Sequence, residues 1–253
     1  MTSLVLFVFG AVLGSFMNVL IHRIPRGQSI VSPPSSCPSC GARIRPRDNV
    51  PLLSFALLRG RCRGCGARIS VRYPTVELLS ALVPIAIHAS YGFTVGFWVY
   101  WALACVLIVL SFVDLDERII PDRVTIPGLI VGVLVAPLLG LTTWSGSLVG
   151  AAVGGGALYL IALLGVAVFR KDSMGGGDIK LAAMLGAFLG WRLIVVSLFT
   201  AFLVGSIAGI GAIAAKGREW DRTIPFGPFI AIGAFVGMVW GRAIIEWYLH
   251  LSG

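Results

Sequence analysis

The chain has 253 residues, of which 57% are hydrophobic and only 12% are charged. A soluble domain carries about a quarter charged residues, so this composition excludes an ordinary soluble domain and indicates an integral membrane protein with several spans. The net charge of +9 would point to nucleic acid in a soluble protein, but here the basic residues lie mainly in short loops. That distribution is typical of orientation in a membrane, and we expect no nucleic-acid partner.

Apolar runs recur along the whole chain, and all but the short run at 179–191 approach the length that membrane helices need. The first extends from Leu4 to Ile21, and the others are predicted near 75–91, 94–113, 124–141, 145–169, 179–191, 193–215 and 225–249. Glycines four residues apart, such as Gly150 and Gly154, favour close packing of these helices. We therefore predict an all-α polytopic membrane protein with about eight transmembrane helices embedded in a lipid bilayer.

The positions of Lys and Arg predict how these helices are oriented. Basic residues follow the first run but do not precede it, which places the N-terminus outside. Alternating the sides from there puts 18 of the 20 Lys and Arg in the cytoplasm and leaves only Arg192 and Arg242 outside. The predicted topology has both termini outside and the loops 22–73, 114–123, 170–178 and 216–224 inside.

The first cytoplasmic loop contains two Cys-x-x-Cys pairs, Cys37 with Cys40 and Cys62 with Cys65. The second cysteine of each pair begins the same phrase, Cys-Gly-Ala-Arg-Ile. Four thiolates suit one tetrahedral zinc ion, and the glycine permits a tight turn. Disulfides and a redox pair are the alternatives, although a reducing cytoplasm disfavours stable disulfides. We predict a zinc-binding domain over 22–73, between a first helix over 1–21 and a membrane domain over 74–253.

Two carboxylates stand at the ends of apolar runs on the predicted cytoplasmic side. Asp114 follows the run 94–113, and Asp178 follows three glycines at 175–177. Taken singly, Asp114 could mark the membrane interface, Asp178 could cap its helix, and Asp122 could cap the helix that enters at Val124. Two neighbouring carboxylates share a proton, so one can take a proton from water while the other protonates a carbonyl oxygen. The pattern therefore predicts amide hydrolysis by Asp114 and Asp178.

Other classes of protein also carry acids in membrane helices. A transporter or proton channel would have polar residues spread through several spans near the midplane, whereas these acids cluster at one face. A scaffold without a reaction is the third possibility, and a single Asp→Asn change that abolishes activity would exclude it.

Several motifs in the same order along nearly the whole chain resemble type IV prepilin peptidases, a family of GxGD-type membrane aspartic proteases. They are Gly14-Ser15-Phe16-Met17-Asn18, His22-Arg23-Ile24-Pro25, the four cysteines, Asp114 through Pro121-Asp122, and Gly175-Gly176-Gly177-Asp178-Ile179-Lys180. Met17 stands where the family often has Leu, which is an apolar exchange.

The resemblance implies a set of functional properties. Asp114 and Asp178 would be the catalytic pair of an aspartic protease domain over 74–253. The substrates would be prepilins and related pseudopilins, cut at their basic leader after a glycine on the cytoplasmic face of the bacterial inner membrane. The resemblance further implies methylation of the new N-terminus from S-adenosylmethionine. We expect the loop 22–73 to help build the site of that second reaction.

Overall fold

The computed structural model describes residues 1–169, 174–216 and 224–252, and its regular structure there is helical. A short 3₁₀ helix over Pro46–Asp48 precedes α2 in the cysteine-containing segment. The helices are α1 (Thr2–Arg23), α2 (Leu53–Leu57), α3 (Arg72–Tyr91), α4 (Val95–Glu117), α5 (Asp122–Leu138), α6 (Trp144–Phe169), α7 (Gly176–Lys216) and α8 (Gly227–Ser252). The predicted all-helical class is confirmed.

Five helices of the described chain are long and apolar enough to cross a membrane. They are Thr2–Arg23, Val95–Glu117, Trp144–Val168, Gly176–Ala215 and Gly227–Leu251. Their outward faces carry large apolar side chains, including Val5, Val8 and Val12 on α1, which are 54–64% exposed. Such faces suit hydrocarbon, where no water is available to solvate polar groups.

The chain forms two compact units, Met1–Val109 and Leu110–Gly253, with the boundary inside α4. In the first unit, α1 and α3 pack in antiparallel directions along a line of small residues. A Cβ at Gly10 would lie 2.9 Å from the Cα of Ala81, and one at Gly14 would lie 2.7 Å from the Cα of Glu77. Glycine is therefore required for this close approach.

The second unit is built around α7, which contacts α5, α6 and α8. Gly150 of α6 and Gly186 of α7 face each other so closely that a Cβ on either would collide with the backbone of the other. The Ser147 hydroxyl of α6 donates to the carbonyl oxygen of Ala187 over 2.8 Å. The close helix packing that was predicted from the spacing of glycines is confirmed here.

Helix α7 is broken at Gly190, whose φ of 75° and ψ of 168° are not helical. A Cβ on Gly154 of α6 would contact both the carbonyl oxygen of Ala182 and, at 3.2 Å, the Cγ1 of Ile194. Twelve residues of straight helix span about 18 Å, so two atoms this close together require the chain to turn back. The halves of α7 before and after Gly190 thus lie side by side.

Three helix ends differ from those expected. Helix α4 continues past Asp114 to Glu117, so Asp114 lies inside the helix and not at its end. Asp122 is the first residue of α5 and does not cap a helix starting at Val124. Asp178 is the third residue of α7 and is not its N-cap. Leu115 and Glu117 are good helix formers, which explains why α4 continues past the apolar run.

Candidate active site and cysteine cluster

Asp114 is held by the beginning of α8. Its side chain is 6% exposed, and its Oδ2 accepts a 3.0 Å hydrogen bond from the backbone N–H of Gly227. Gly227 is the first residue of α8, where backbone N–H groups have no partner within the helix and the helix dipole favours a negative charge. A Cβ on Gly227 would lie 2.7 Å from this oxygen. Only glycine lets the backbone approach the carboxylate so closely.

Asp178 lies in the first turn of α7, directly after three glycines. It is half-buried, and its Oδ1 is buried with no hydrogen-bond partner among the described residues. The carboxylate is near enough for the charge of Asp114 to act on it. A Cβ on Gly175 would lie 3.3 Å from Asp178 Oδ2, which is closer than ordinary contact. The second unit therefore brings together the two acids that the sequence singled out.

Ile120 packs between the two segments that carry these acids. A Cβ on Gly177 would lie 2.9 Å from the Cβ of Ile120, and a Cβ on Gly227 would lie 3.3 Å from its Cδ1. The link between α4 and α5 is thus packed against the starts of both α7 and α8. This apolar contact sets the spacing of the helix ends around the carboxylates.

An ion pair lies beside the two acids. The Lys180 ammonium donates to Asp122 Oδ2 over 2.6 Å, joining the first turn of α5 to α7 two residues after Asp178. Both side chains are about half exposed, at 43% and 54%. The carboxylate of Asp122 is therefore neutralised by Lys180 and is not held against Asp114 and Asp178.

The arrangement can perform acid–base chemistry without a nucleophilic side chain. Asp114 receives a donor that stabilises its charged form, whereas one oxygen of Asp178 is buried without a partner. A hydrogen bond to a carboxylate favours ionisation, so the bond from Gly227 distinguishes the two acids, although Asp114 is the more buried. The two environments thus differ in the way that an acid and base pair requires.

The contact of Gly227 with Asp114 was not predicted from the sequence. Its signal was the segment Pro225-Phe226-Gly227-Pro228-Phe229, a glycine between two prolines at the start of an apolar run. Proline is common in the first turn of a helix because it lacks the N–H that would have no partner there. The pattern marks a helix start, but nothing local shows which side chain its free N–H meets.

The four cysteines of the first unit converge as predicted. The sulfurs of Cys37, Cys40, Cys62 and Cys65 all lie within 4.8 Å of one another. Those of Cys37 and Cys65 are 3.9 Å apart. A tetrahedral zinc ion with Zn–S bonds of about 2.3 Å needs sulfurs about 3.8 Å apart. The four thiols therefore fit a zinc ion.

The two Cys-x-x-Cys turns have the same backbone geometry. The N–H of Gly41 donates to the carbonyl oxygen of Cys37 over 2.8 Å, and that of Gly66 donates to Cys62 over 2.9 Å. Both glycines have positive φ, 70° and 73°, where a side chain would be strained. The backbone N–H groups of Cys40 and Ser39 lower the pKa of the Cys37 thiol to about 6. This favours the thiolate form that a metal binds.

The chain is similar to known proteins over nearly its whole length. The model of the bacterial peptidase A24 N-terminal domain matches residues 8–91, and that of the type IV leader peptidase family matches residues 101–210. No solved structure matches the chain.

Relatives named prepilin leader peptidase/N-methyltransferase occur in distant bacteria. The protein of Aeromonas hydrophila is 38% identical, covering 96% of this chain and 92% of the relative. That of Pseudomonas aeruginosa is 35% identical, covering 97% and 93%. That of Bacillus subtilis is 34% identical and covers 98% of both chains. The buried acid pair, the cysteine cluster and these matches agree: the chain belongs to the type IV leader peptidase family.

Proposed function

We propose that the chain removes the leader peptide of prepilins and related pseudopilins and then methylates the new N-terminus. The observation that carries the first reaction is the pairing of Asp114 and Asp178 around Ile120, with Asp114 bound to the N–H of Gly227. The names of the relatives support both activities.

In the proposed hydrolysis Asp114 is the base and Asp178 is the acid. Asp114, with its charge stabilised by Gly227, takes a proton from the attacking water. Asp178 donates its proton to the carbonyl oxygen of the scissile peptide bond as the tetrahedral intermediate forms. The proton held by Asp114 then moves to the leaving amine as the C–N bond breaks, and Asp178 takes back a hydroxyl proton of the intermediate as the carbonyl re-forms. Because Asp114 is bonded to the start of α8 and Asp178 lies in the first turn of α7, little reorganisation accompanies the reaction.

The three glycines before Asp178 would serve the substrate. Cleavage by this geometry needs an extended peptide lying beside the acid pair. A side chain at Gly176, where a Cβ would meet nothing within 4 Å, would occupy space that an extended backbone requires, while glycine leaves its N–H and C=O groups accessible. This supports a substrate that binds at the start of α7.

Methyl transfer would occur separately from hydrolysis, because it needs a positioned amine and no acid pair. S-adenosylmethionine supplies the methyl group when bound. We propose that zinc holds the segment 22–73 rigid, so that it helps to form this second site. The support is the convergence of Cys37, Cys40, Cys62 and Cys65.

The proposed topology has eight spans with both termini outside and loops 22–73, 114–123, 170–178 and 216–224 in the cytoplasm. It is supported by the 18-to-2 distribution of basic residues and by the break of α7 at Gly190. The nearness of Asp114 and Asp178 agrees with it, since the topology puts both on the same side. Arg170, Lys171, Arg218 and Arg222, which were counted as cytoplasmic, lie outside the described residues.

Mass spectrometry of a prepilin co-expressed with the chain tests the proposed function. Cleavage removes the leader, and methylation adds the mass of one methylene group to the mature product. An unprocessed prepilin, with the chain present in the membrane, would contradict the proposal. A transporter would leave the prepilin intact, and the clustering of acids at one end of the second unit does not favour that class.

A further inference from the structure

The first unit holds a buried carboxylate that the proposed hydrolysis does not use. Glu77 of α3 is 9% exposed. One of its oxygens accepts a 2.7 Å hydrogen bond from the backbone N–H of Leu52, and the Ser15 hydroxyl is near enough to the carboxylate to donate to it. Both donors are neutral, and no cation pairs with Glu77 among the described residues. A buried carboxylate without a cation is costly, which marks it as a candidate functional group.

A second acceptor in the same place is also unsatisfied. Asn18 of α1 is 4% exposed, and its Nδ2 donates to the carbonyl oxygens of Gly14, over 3.3 Å, and Tyr73, over 3.1 Å. Those two bonds fix the orientation of the amide. Its Oδ1 is left buried without a partner in the described part of the chain. A buried oxygen without a hydrogen-bond partner is destabilising unless a ligand supplies the donor.

The packing of α1 against α3 places these two acceptors close together. Gly14 faces Glu77, since a Cβ there would lie 2.7 Å from the Cα of Glu77. Asn18, one turn further along α1, is bonded to Tyr73, one turn before Glu77 on α3. The two acceptors therefore lie within about one helical turn, 5.4 Å, along the same seam.

Two buried acceptors, one of them charged, suit a ligand that is a cation with several N–H donors. We propose that Asn18 and Glu77 bind an ammonium group, the new amino terminus of the processed pilin, and that Glu77 removes its proton for methyl transfer. This inference rests on the proposed function, because hydrolysis must first release that amine.

Proton transfer from the ammonium to Glu77 precedes methyl transfer to the amine. The ammonium binds to Glu77 and Asn18 Oδ1, and one of its protons passes to the carboxylate; in a site of low polarity the neutral acid and amine compete well with the ion pair. The nitrogen lone pair then attacks the methyl carbon of the sulfonium. The N–C bond forms, and the S–C bond breaks with its electrons remaining on sulfur. The proton leaves Glu77 to water after the product departs.

The hydrogen bond from Leu52 to Glu77 allows the proposed role of Glu77 as a base to be tested separately from its role in packing. Leu52 has φ 60° and ψ −47°, a strained conformation for leucine, at the start of α2. Its N–H is held by Glu77. Glutamine at position 77 keeps an oxygen for this bond and keeps the side-chain volume, but it removes the charge and the base.

The experiment uses the full chain in lipid nanodiscs and two mature-pilin peptides, one with a free amino terminus and one N-acetylated. The unmodified chain is expected to bind the free peptide at least about tenfold more tightly, the value of one charge-assisted hydrogen bond. Glu77→Gln should abolish this preference and methylation while cleaving prepilin normally. Glu77→Asp, which restores the charge, should recover part of both.

A parallel titration with S-adenosylhomocysteine identifies which ammonium the site takes, because this product carries an ammonium but no sulfonium. If Glu77→Gln weakens its binding and leaves the peptide preference intact, the assignment to the pilin amine is overturned. Normal methylation by Glu77→Gln would overturn the proposal outright. Absence of methylation by the unmodified chain would instead overturn the proposed function, so the two failures are distinguishable.

Discussion

Both units contain carboxylates that are shielded from water. The second unit contains the pair Asp114 and Asp178, whereas the first contains Glu77 as a single buried carboxylate. In the proposed pair, the charge of Asp114 acts on Asp178. Glu77 has only neutral partners. A pair can exchange a proton internally and thus activates water without outside help. A single buried carboxylate needs a proton or a cation from elsewhere, which suits a reaction whose substrate arrives charged.

The largest effect on leader removal is expected from replacing either acid of the pair in the second unit. Asp114→Asn and Asp178→Asn should each reduce leader removal by at least about 10²–10⁴-fold, the usual contribution of a positioned acid or base. Methylation of a pre-cleaved pilin peptide should persist in both variants. Mass spectrometry of both products measures this, and full processing of prepilin by either variant would refute the assignment.

The next largest effect is expected from the glycine that holds Asp114. A Cβ in Gly227→Ala would lie 2.7 Å from Asp114 Oδ2 and must displace the carboxylate. A shift of about 1 Å in a reacting group can cost 10²-fold, so we expect a 10- to 100-fold loss of cleavage. Gly209→Ala is the matched control, because a Cβ there meets nothing within 4 Å. Equal rates for the two variants would show that Gly227 does not position the acid.

Replacing a cysteine of the cluster in the first unit should affect zinc binding and methylation. Cys37→Ser should lower the zinc content from about one ion per chain and make the segment 22–73 more sensitive to protease, since binding of the metal is coupled to folding. Methylation should fall more than cleavage. Cys105→Ser in α4 is the control and should keep its zinc. Equal losses of both activities in every zinc-site variant would contradict two separable sites.

The smallest effect is expected from the ion pair beside the acids. Its side chains are half exposed, and such pairs contribute about 0–1 kcal/mol, so Asp122→Asn should reduce cleavage only a few-fold. Lys180→Met should do the same, and the double variant should lose no more than either alone. A loss as large as that of Asp114→Asn would make Asp122 a member of the catalytic set.

Contacts between residues that are close together in the chain could be predicted from the sequence more readily than contacts between distant residues. The cysteine cluster was readable because each Cys-x-x-Cys turn is local and its phrase occurs twice. The pairing of Asp114 and Asp178 needed a topology, which the distribution of Lys and Arg provided. The contact of Gly227 with Asp114 joins residues 113 positions apart, and no pattern of spacing encodes it.

Glu77 shows a different limit. An acid within the apolar run 75–91 is visible in the sequence, but its burial and its neutral partners are not. Both depend on how α3 packs against α1 and on the conformation of Leu52. A hydropathy pattern fixes which residues are apolar; it does not fix which face of a helix a single polar residue occupies.

The break at Gly190 affects the angular position of Asp178, the proposed catalytic acid, around its helix. Residues before the break pack against α5 and α6, and residues from Leu193 to Ala201 pack against glycines of α8. Each residue of a helix turns the chain by about 100°. One alanine inserted between Asp178 and the contact of Gly186 with Gly150 would therefore swing Asp178 away from Asp114. The same insertion beyond Ala201 would leave its direction unchanged, because the turn at Gly190 separates the rotation of one half from that of the other.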